Sequence, residues 1–117
     1  MEDNLIELLQ TFGFPVIRQG SLAPDAEYPD TFFTFWCISE IEQTAYDNGT
    51  FSVVYDFYIN VYSTNPETVY DYLKQARVLL KNNGWTCIDR GHDIQSDVIT
   101  HIGRGMELTF LNTEEEI

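Results

Sequence analysis

The stretch from Tyr46 to Gly84 restricts the fold more than any other part of the chain. Phe51, Val53, Tyr55, Phe57, Ile59 and Val61 alternate with Ser52, Val54, Asp56, Tyr58, Asn60 and Tyr62, which is the period of a β-strand. Asp47-Asn48-Gly49 precedes it as a tight-turn signal, because Asn and Gly take up left-handed backbone at little cost. A helix follows. Asn65 is its cap, Pro66 its first residue and Glu67 sits at the positive end of its dipole. Val69, Leu73, Ala76 and Leu80 form its buried stripe, with Tyr72 and Leu79 beside it, and Gly84 ends it. A hairpin strand followed by an amphipathic helix is the frame to which the remaining segments must attach.

Residues 3–12 read as a short amphipathic helix, with Asp3 or Asn4 as cap and Leu5, Leu8, Leu9 and Phe12 at helical spacing. A helix this short needs a sheet to lie on. Phe14 to Leu22 is a strand, and Pro15 at its start favours a sheet edge, since proline donates nothing to a ladder. Ala23 to Asp30 is a loop. Thr31 to Ile38 is a strand with almost no polar face: Phe33, Phe35 and Cys37 on one side, Phe32, Trp36 and Ile38 on the other. A two-residue loop at Asn48-Gly49 would set Glu40 and Glu42 opposite Phe57 and Tyr55. Two carboxylates on an apolar face are costly, so the partner strand is expected to bulge or leave the sheet between Ser39 and Thr44. Trp85 to Ile88 and Gly105 to Leu111 are strands, separated by the polar stretch Asp89 to Arg104. Residues 113–117 form an acidic tail expected to fray. The order is α-β-β-β-α-β-β. It predicts one α+β domain over residues 1–117, a largely antiparallel sheet with two helices packed on one face.

Composition narrows the function classes. An apolar share of 44% with 15% aromatics in 117 residues supports a real core and argues against disorder. Nineteen acids against six cations give a net charge of -13, which repels nucleic acid and anionic membranes at any unscreened distance. No apolar run reaches the ~18 residues that a membrane span needs. Cys37 and Cys87 are too few for a disulfide scaffold and stand in apolar strands, which predicts buried free thiols.

Two groups of residues stand out as candidate interface. Lys74, Arg77 and Lys81 form a basic stripe near the negative end of the long helix. The stripe reads either as a solvated face, with Asp71 supporting Lys74 at i,i+3, or as the surface on which an acidic face of a neighbouring subunit docks head to tail. The second group, Arg90, Asp93, Asp97, His101 and Arg104, lies in the polar stretch. Asp93, Asp97 and His101 recur every four residues, a spacing that a divalent metal could use but that matches no strong motif; no cofactor or metal is expected. Phe32, Trp36, Tyr58, Tyr62 and Tyr70 exceed the needs of one small core. They suit an interface, or a second sheet face that both helices cover. No P-loop, GxGxxG, HExxH or GxSxG is present, so no enzyme is expected and no catalytic residue is assigned.

Several phrases together carry a resemblance. They are Gly13-Phe14-Pro15-Val16, Arg18-Gln19-Gly20-Ser21-Leu22, Tyr28-Pro29-Asp30-Thr31-Phe32-Phe33-Thr34-Phe35-Trp36, Tyr46-Asp47-Asn48, Tyr62-Ser63-Thr64-Asn65-Pro66, and Asp93, Ser96-Asp97, His101 and Gly103-Arg104. The chain resembles small proteins from the structural modules of phages and prophages of Gram-positive bacteria. Its element order resembles that of tail-terminator and tail-completion (head–tail joining) proteins of long-tailed phages. The resemblance implies a virion protein, present in the bacterial host cytoplasm during assembly. It would form a ring, commonly a hexamer, on the tail tube and contact other tail or connector proteins. It implies no sequence-specific nucleic-acid binding. Two readings of other classes compete: an acidic nucleic-acid mimic that inhibits a basic protein, and a small metal- or ligand-binding domain built on Asp93, Asp97 and His101.

Overall fold

The computed structural model describes residues 2–19, 29–42, 50–96 and 99–115. The elements are α1 (Glu2–Gln10), β1 (Val16–Arg18), β2 (Thr31–Glu42), β3 (Thr50–Ser63), α2 (Pro66–Asn82), β4 (Thr86–Cys87), β5 (His92–Ile94) and β6 (Ile102–Glu115). The expected order holds, and β5 is an additional short strand within the polar stretch. The sheet runs β1-β2-β3-β6-β4, and β5 joins β6 on the same side as β4. Among the described residues only the β1–β2 pair is parallel; β2, β3, β6, β4 and β5 pair antiparallel. The Pro15 segment is thus an edge, as its proline requires.

Helix α2 has the predicted ends. Asn65 Oδ1 accepts from the Glu67 amide at 3.0 Å. Past the last turn, the amides of Gly84 and Trp85 return to the carbonyls of Lys81 and Leu80, the Schellman pattern that a glycine in left-handed backbone permits. Gly84 has φ +90. Val69, Leu73, Ala76 and Leu80 are all buried, as are Leu5 and Leu9 of α1. They meet Phe33 and Phe35 of β2, Phe57, Ile59 and Val61 of β3, and Met106 and Leu108 of β6 in one cluster. Both helices therefore lie on one face. Trp85 is also buried there, and its indole N–H donates to Asn4 Oδ1 at 3.1 Å, tying α1 to the end of α2.

Neither described helix lies on the opposite face. That face closes with its own rings: Phe32 stacks on Tyr62 at 5.2 Å and Trp36 on Tyr58 at 4.7 Å. Between these rows Asn60 donates to Thr34 at 3.3 Å, both buried. β6 contributes Gly103 and Gly105 beneath them. A Cβ at Gly105 would stand 2.1 Å from Asn60 Oδ1, and one at Gly103 would stand 2.7 Å from the Tyr62 ring. Glycine at these two positions lets the rings and Asn60 lie flat across the sheet. Four of the five aromatics that the sequence marked as surplus, Phe32, Trp36, Tyr58 and Tyr62, thus pack in pairs on the face away from both helices.

Length matching sets the overall shape. β3 and β6 have 14 residues each and α2 has 17. At ~3.4 Å per strand residue and ~1.5 Å per helix residue, these span roughly 45 and 25 Å. The helices cover about half the strands, and the molecule measures 54 × 29 × 22 Å. The half beyond the helices is a three-stranded arm of residues 38–42, 50–54 and 111–115, within which Val53 is still buried. In it Ile41, Val54 and Leu111 stand in one cross-strand row, and Ile41 and Leu111 are 55% and 61% exposed.

One expectation is corrected here. The bulge lies between Cys37 and Ser39, and β2 then stays paired to Glu42 rather than leaving the sheet. Glu40 and Glu42 face Tyr55 and Val53, on the helix side of the sheet, where both are exposed. Carboxylates are tolerated there because both side chains reach solvent. β6 pairs with β3 through Glu115, and residues 116 and 117 lie outside the described residues. The Asp47-Asn48-Gly49 turn, and Gln43 and Thr44 of the expected irregular segment, lie outside the described residues.

Candidate functional site

The basic stripe on α2 is one wall of a cleft. Lys74 and Arg77 come from exposed and half-buried positions of the helix, one turn apart. The opposite wall is the β5–β6 edge, which brings Arg90 and Arg104 against them, with Tyr70 and Leu73 completing a cleft of about 230 Å³. Four of the six Lys and Arg residues in the chain line this one feature. Lys81 is one turn beyond Arg77 and outside the lining.

Arg104 is held from three sides. It donates to Asp93 Oδ1 at 2.9 Å and to the Gly91 carbonyl at 2.9 Å, and its guanidinium lies 4.7 Å from the centre of the Tyr70 ring. Asp93 and Arg104 are direct cross-strand partners, so sheet register places the pair. Gly91 makes this approach possible. Its φ is +110, and a Cβ there would meet Leu73 Cδ2 at 2.6 Å and Arg104 Nε at 3.2 Å. The Asp89 carboxylate fixes the turn by accepting from the Gly91 amide at 2.7 Å.

Lys74, Arg77 and Arg90 make no ion pair among the described residues; the Asp71–Lys74 support expected on α2 does not form. The Nε of Arg77 is buried without an acceptor. Three cations collected beside a neutralised fourth repel one another, a tension that a bound anion relieves.

The acidic counterpart lies elsewhere on the helix side. Glu2, Asp3 and Glu40 line a cleft of about 320 Å³ with Arg18, Cys37, Tyr55 and Phe57. Arg18 pairs with Glu2 at 3.2 Å, and the remaining carboxylates continue along the arm to Glu42.

The Asp93, Asp97, His101 spacing does not put Asp93 and His101 on one face. Asp93 is engaged by Arg104 on the helix side. His101 is buried beside Phe32 on the other face, where its Nε2–H donates to the Pro29 carbonyl at 2.8 Å. Asp97 lies outside the described residues. Asp93 and His101 border one cleft of about 380 Å³ together with Val69, Tyr70 and Ile94. No group of three His, Cys, Asp or Glu among the described residues is arranged to hold a metal. Strand parity carried the signal for this separation. Met106 and Leu108 point to the helices, so Arg104 does too, and the odd positions 101 and 103 face away.

The thiols are free and half-buried rather than fully buried. Burial raises the pKa of Cys37, with Glu40 adding to it. Burial also raises that of Cys87, against the opposing pull of Arg77 and Lys81. Neither is activated as a nucleophile. On the helix-free face Tyr58 bonds to His92 Nε2, and its phenol is also raised by burial and by Asp89 and Glu107. No described helix is long and apolar enough to cross a membrane. No protein-family model matches the chain, and no curated protein matches it significantly.

Proposed function

We propose that this chain is a non-catalytic assembly protein that associates with copies of itself, as a tail-terminator or head–tail joining component of a long-tailed phage or prophage. The carrying observation is the separation of charge on one molecule: four of six cations in one cleft, on a chain of net charge -13. Such a distribution suits heterologous contact, in which one patch of a subunit meets a different patch of the next; contacts of this kind close into rings when the rotation permits. The α+β order and the resemblance, carried by phrases from Gly13 to Arg104, support the phage reading. A ring with an acidic surface would pass DNA without adhesion. Its place of action would be the virion, after assembly in the host cytoplasm, with other tail or connector proteins as neighbours.

Negative-stain electron microscopy of concentrated protein at low salt tests this reading. Closed rings with a central opening are expected, and addition of purified tail tubes should place them at tube ends. Single particles of monomer size that leave tube ends bare would overturn the proposal. An acidic mimic of nucleic acid needs carboxylates in a regular stripe; the gathered cations supply no reason for one.

A further inference from the structure

We infer that the cleft of Lys74, Arg77, Arg90 and Arg104 receives the three-stranded arm of a second copy of this chain, with Glu40 and Glu42 entering as counter-charges. This rests on the self-association reading and names the two faces that meet.

The arm is chemically complementary to the cleft. The arm segments, residues 38–42, 50–54 and 111–115, hold Glu40, Glu42, Glu114 and Glu115 and no Lys or Arg. Glu40 and Glu42 are exposed on its helix side. Its other side presents Ile41 and Leu111, more than half exposed, in one row with Val54. A protruding element with acids on one side and bare aliphatic side chains on the other is built for contact. The cleft offers the matching pair of features: three cations without an ion pair among the described residues, and Tyr70, 52% exposed, at its wall.

The arm cannot serve its own molecule's cleft. Both lie along β6, and the seven residues from Arg104 to Leu111 hold them roughly 24 Å apart on a paired strand. A neighbour must supply the acids. Because the two faces differ, each copy offers one of each, and the contact propagates head to tail. A long nucleic acid fits less well, since it would run off this short basic patch onto acidic surface.

Charge exchange tests the inference. Lys74→Glu with Arg90→Glu, and separately Glu40→Lys with Glu42→Lys, alter only exposed side chains. Folding is verified by circular dichroism, and association is read by sedimentation velocity against concentration. Each pair of reversals should raise the midpoint concentration for association at least about tenfold. The chain carrying all four reversals should recover toward the wild type, because reversed arm then meets reversed cleft. If the wild type forms rings but the pairs associate as it does, the arm–cleft contact is refuted while self-association stands. If both pairs weaken association and the fourfold variant shows no recovery, the two faces do not meet each other. Loss of inorganic phosphate binding in the cleft variant with association intact would make the cleft a small-anion site and refute the inference. A wild type that stays monomeric throughout refutes it together with the proposed function.

Discussion

Replacing Gly91 with alanine isolates the contact that shapes the basic cleft. Two costs are superposed at this residue. At φ +110 an L side chain is strained, by about 1–2 kcal/mol. The new methyl also falls 2.6 Å from Leu73 Cδ2 and 3.2 Å from Arg104 Nε. Leu73 is a buried core residue on α2 and yields only by disturbing its neighbours, so overpacking adds about 1–3 kcal/mol. The sum is about 2–5 kcal/mol, or a fall in melting midpoint centred near ~15 °C for a chain of this length. Gly13 supplies the control. Its φ is +85, with nothing within 4 Å of the added Cβ, so Gly13→Ala pays the strain alone, about 1–2 kcal/mol. Urea and thermal unfolding of both variants give the difference directly. A double-mutant cycle with Leu73→Ala should show that the Gly91 substitution costs less once the overlapping methyl is gone. Equal losses for Gly13→Ala and Gly91→Ala, with no coupling to Leu73, would refute the argument that close approach at Gly91 sets the cleft.

Two further outcomes follow from local chemistry. Asn65→Ala removes the acceptor of the Glu67 amide and should destabilise by about 1 kcal/mol in urea unfolding, whereas Asn65→Ser should retain most of the stability. Cys37, Cys87 and Tyr58 all have pKa values raised by burial. A raised value in the folded state means stability that is full below the ordinary pKa and lost as pH climbs through the raised one. For the thiols the loss begins above their ordinary value of 9.0. The melting midpoint should therefore fall on the alkaline side of pH 9, and Cys87→Ala should flatten part of that fall. Both thiols should react slowly with iodoacetamide at neutral pH in the native protein and readily in urea; fast native alkylation would contradict the burial argument.

What the residues disclosed in advance was what short-range physics decides. The cap, stripe and stop of α2 are written within one segment, and all four stripe residues are buried. Alternation in β3 likewise assigned its faces. The site was only half legible. Lys74 and Arg77 share a helix face by spacing alone, but Arg90 and Arg104 join them through the pairing of β5 with β6, a non-local event. β5 itself has polar residues and three positions, and its pairing rests on the edge that β6 leaves open. Glu40 and Glu42 misled for a related reason. Their face was correct, but where that face ceases to be covered depends on helix length against strand length. The recurrence of Asp93, Asp97 and His101 every four residues suggested a shared face; strand parity set Asp93 and His101 on opposite faces.

The measurement that bears most directly on the account is native mass by light scattering behind a sizing column, over a range of protein concentrations at low and high salt. Contacts between a basic cleft and an acidic arm are attractive at short range and screened as the Debye length shrinks from about 8 Å to about 3 Å between physiological and molar salt. The account predicts a mass several times the 13.6 kDa of one chain, growing with concentration and falling back as salt rises. A mass of one chain at every concentration and salt would contradict it, and an assembly that salt strengthens would show that apolar surface, rather than the charged cleft, holds the subunits together.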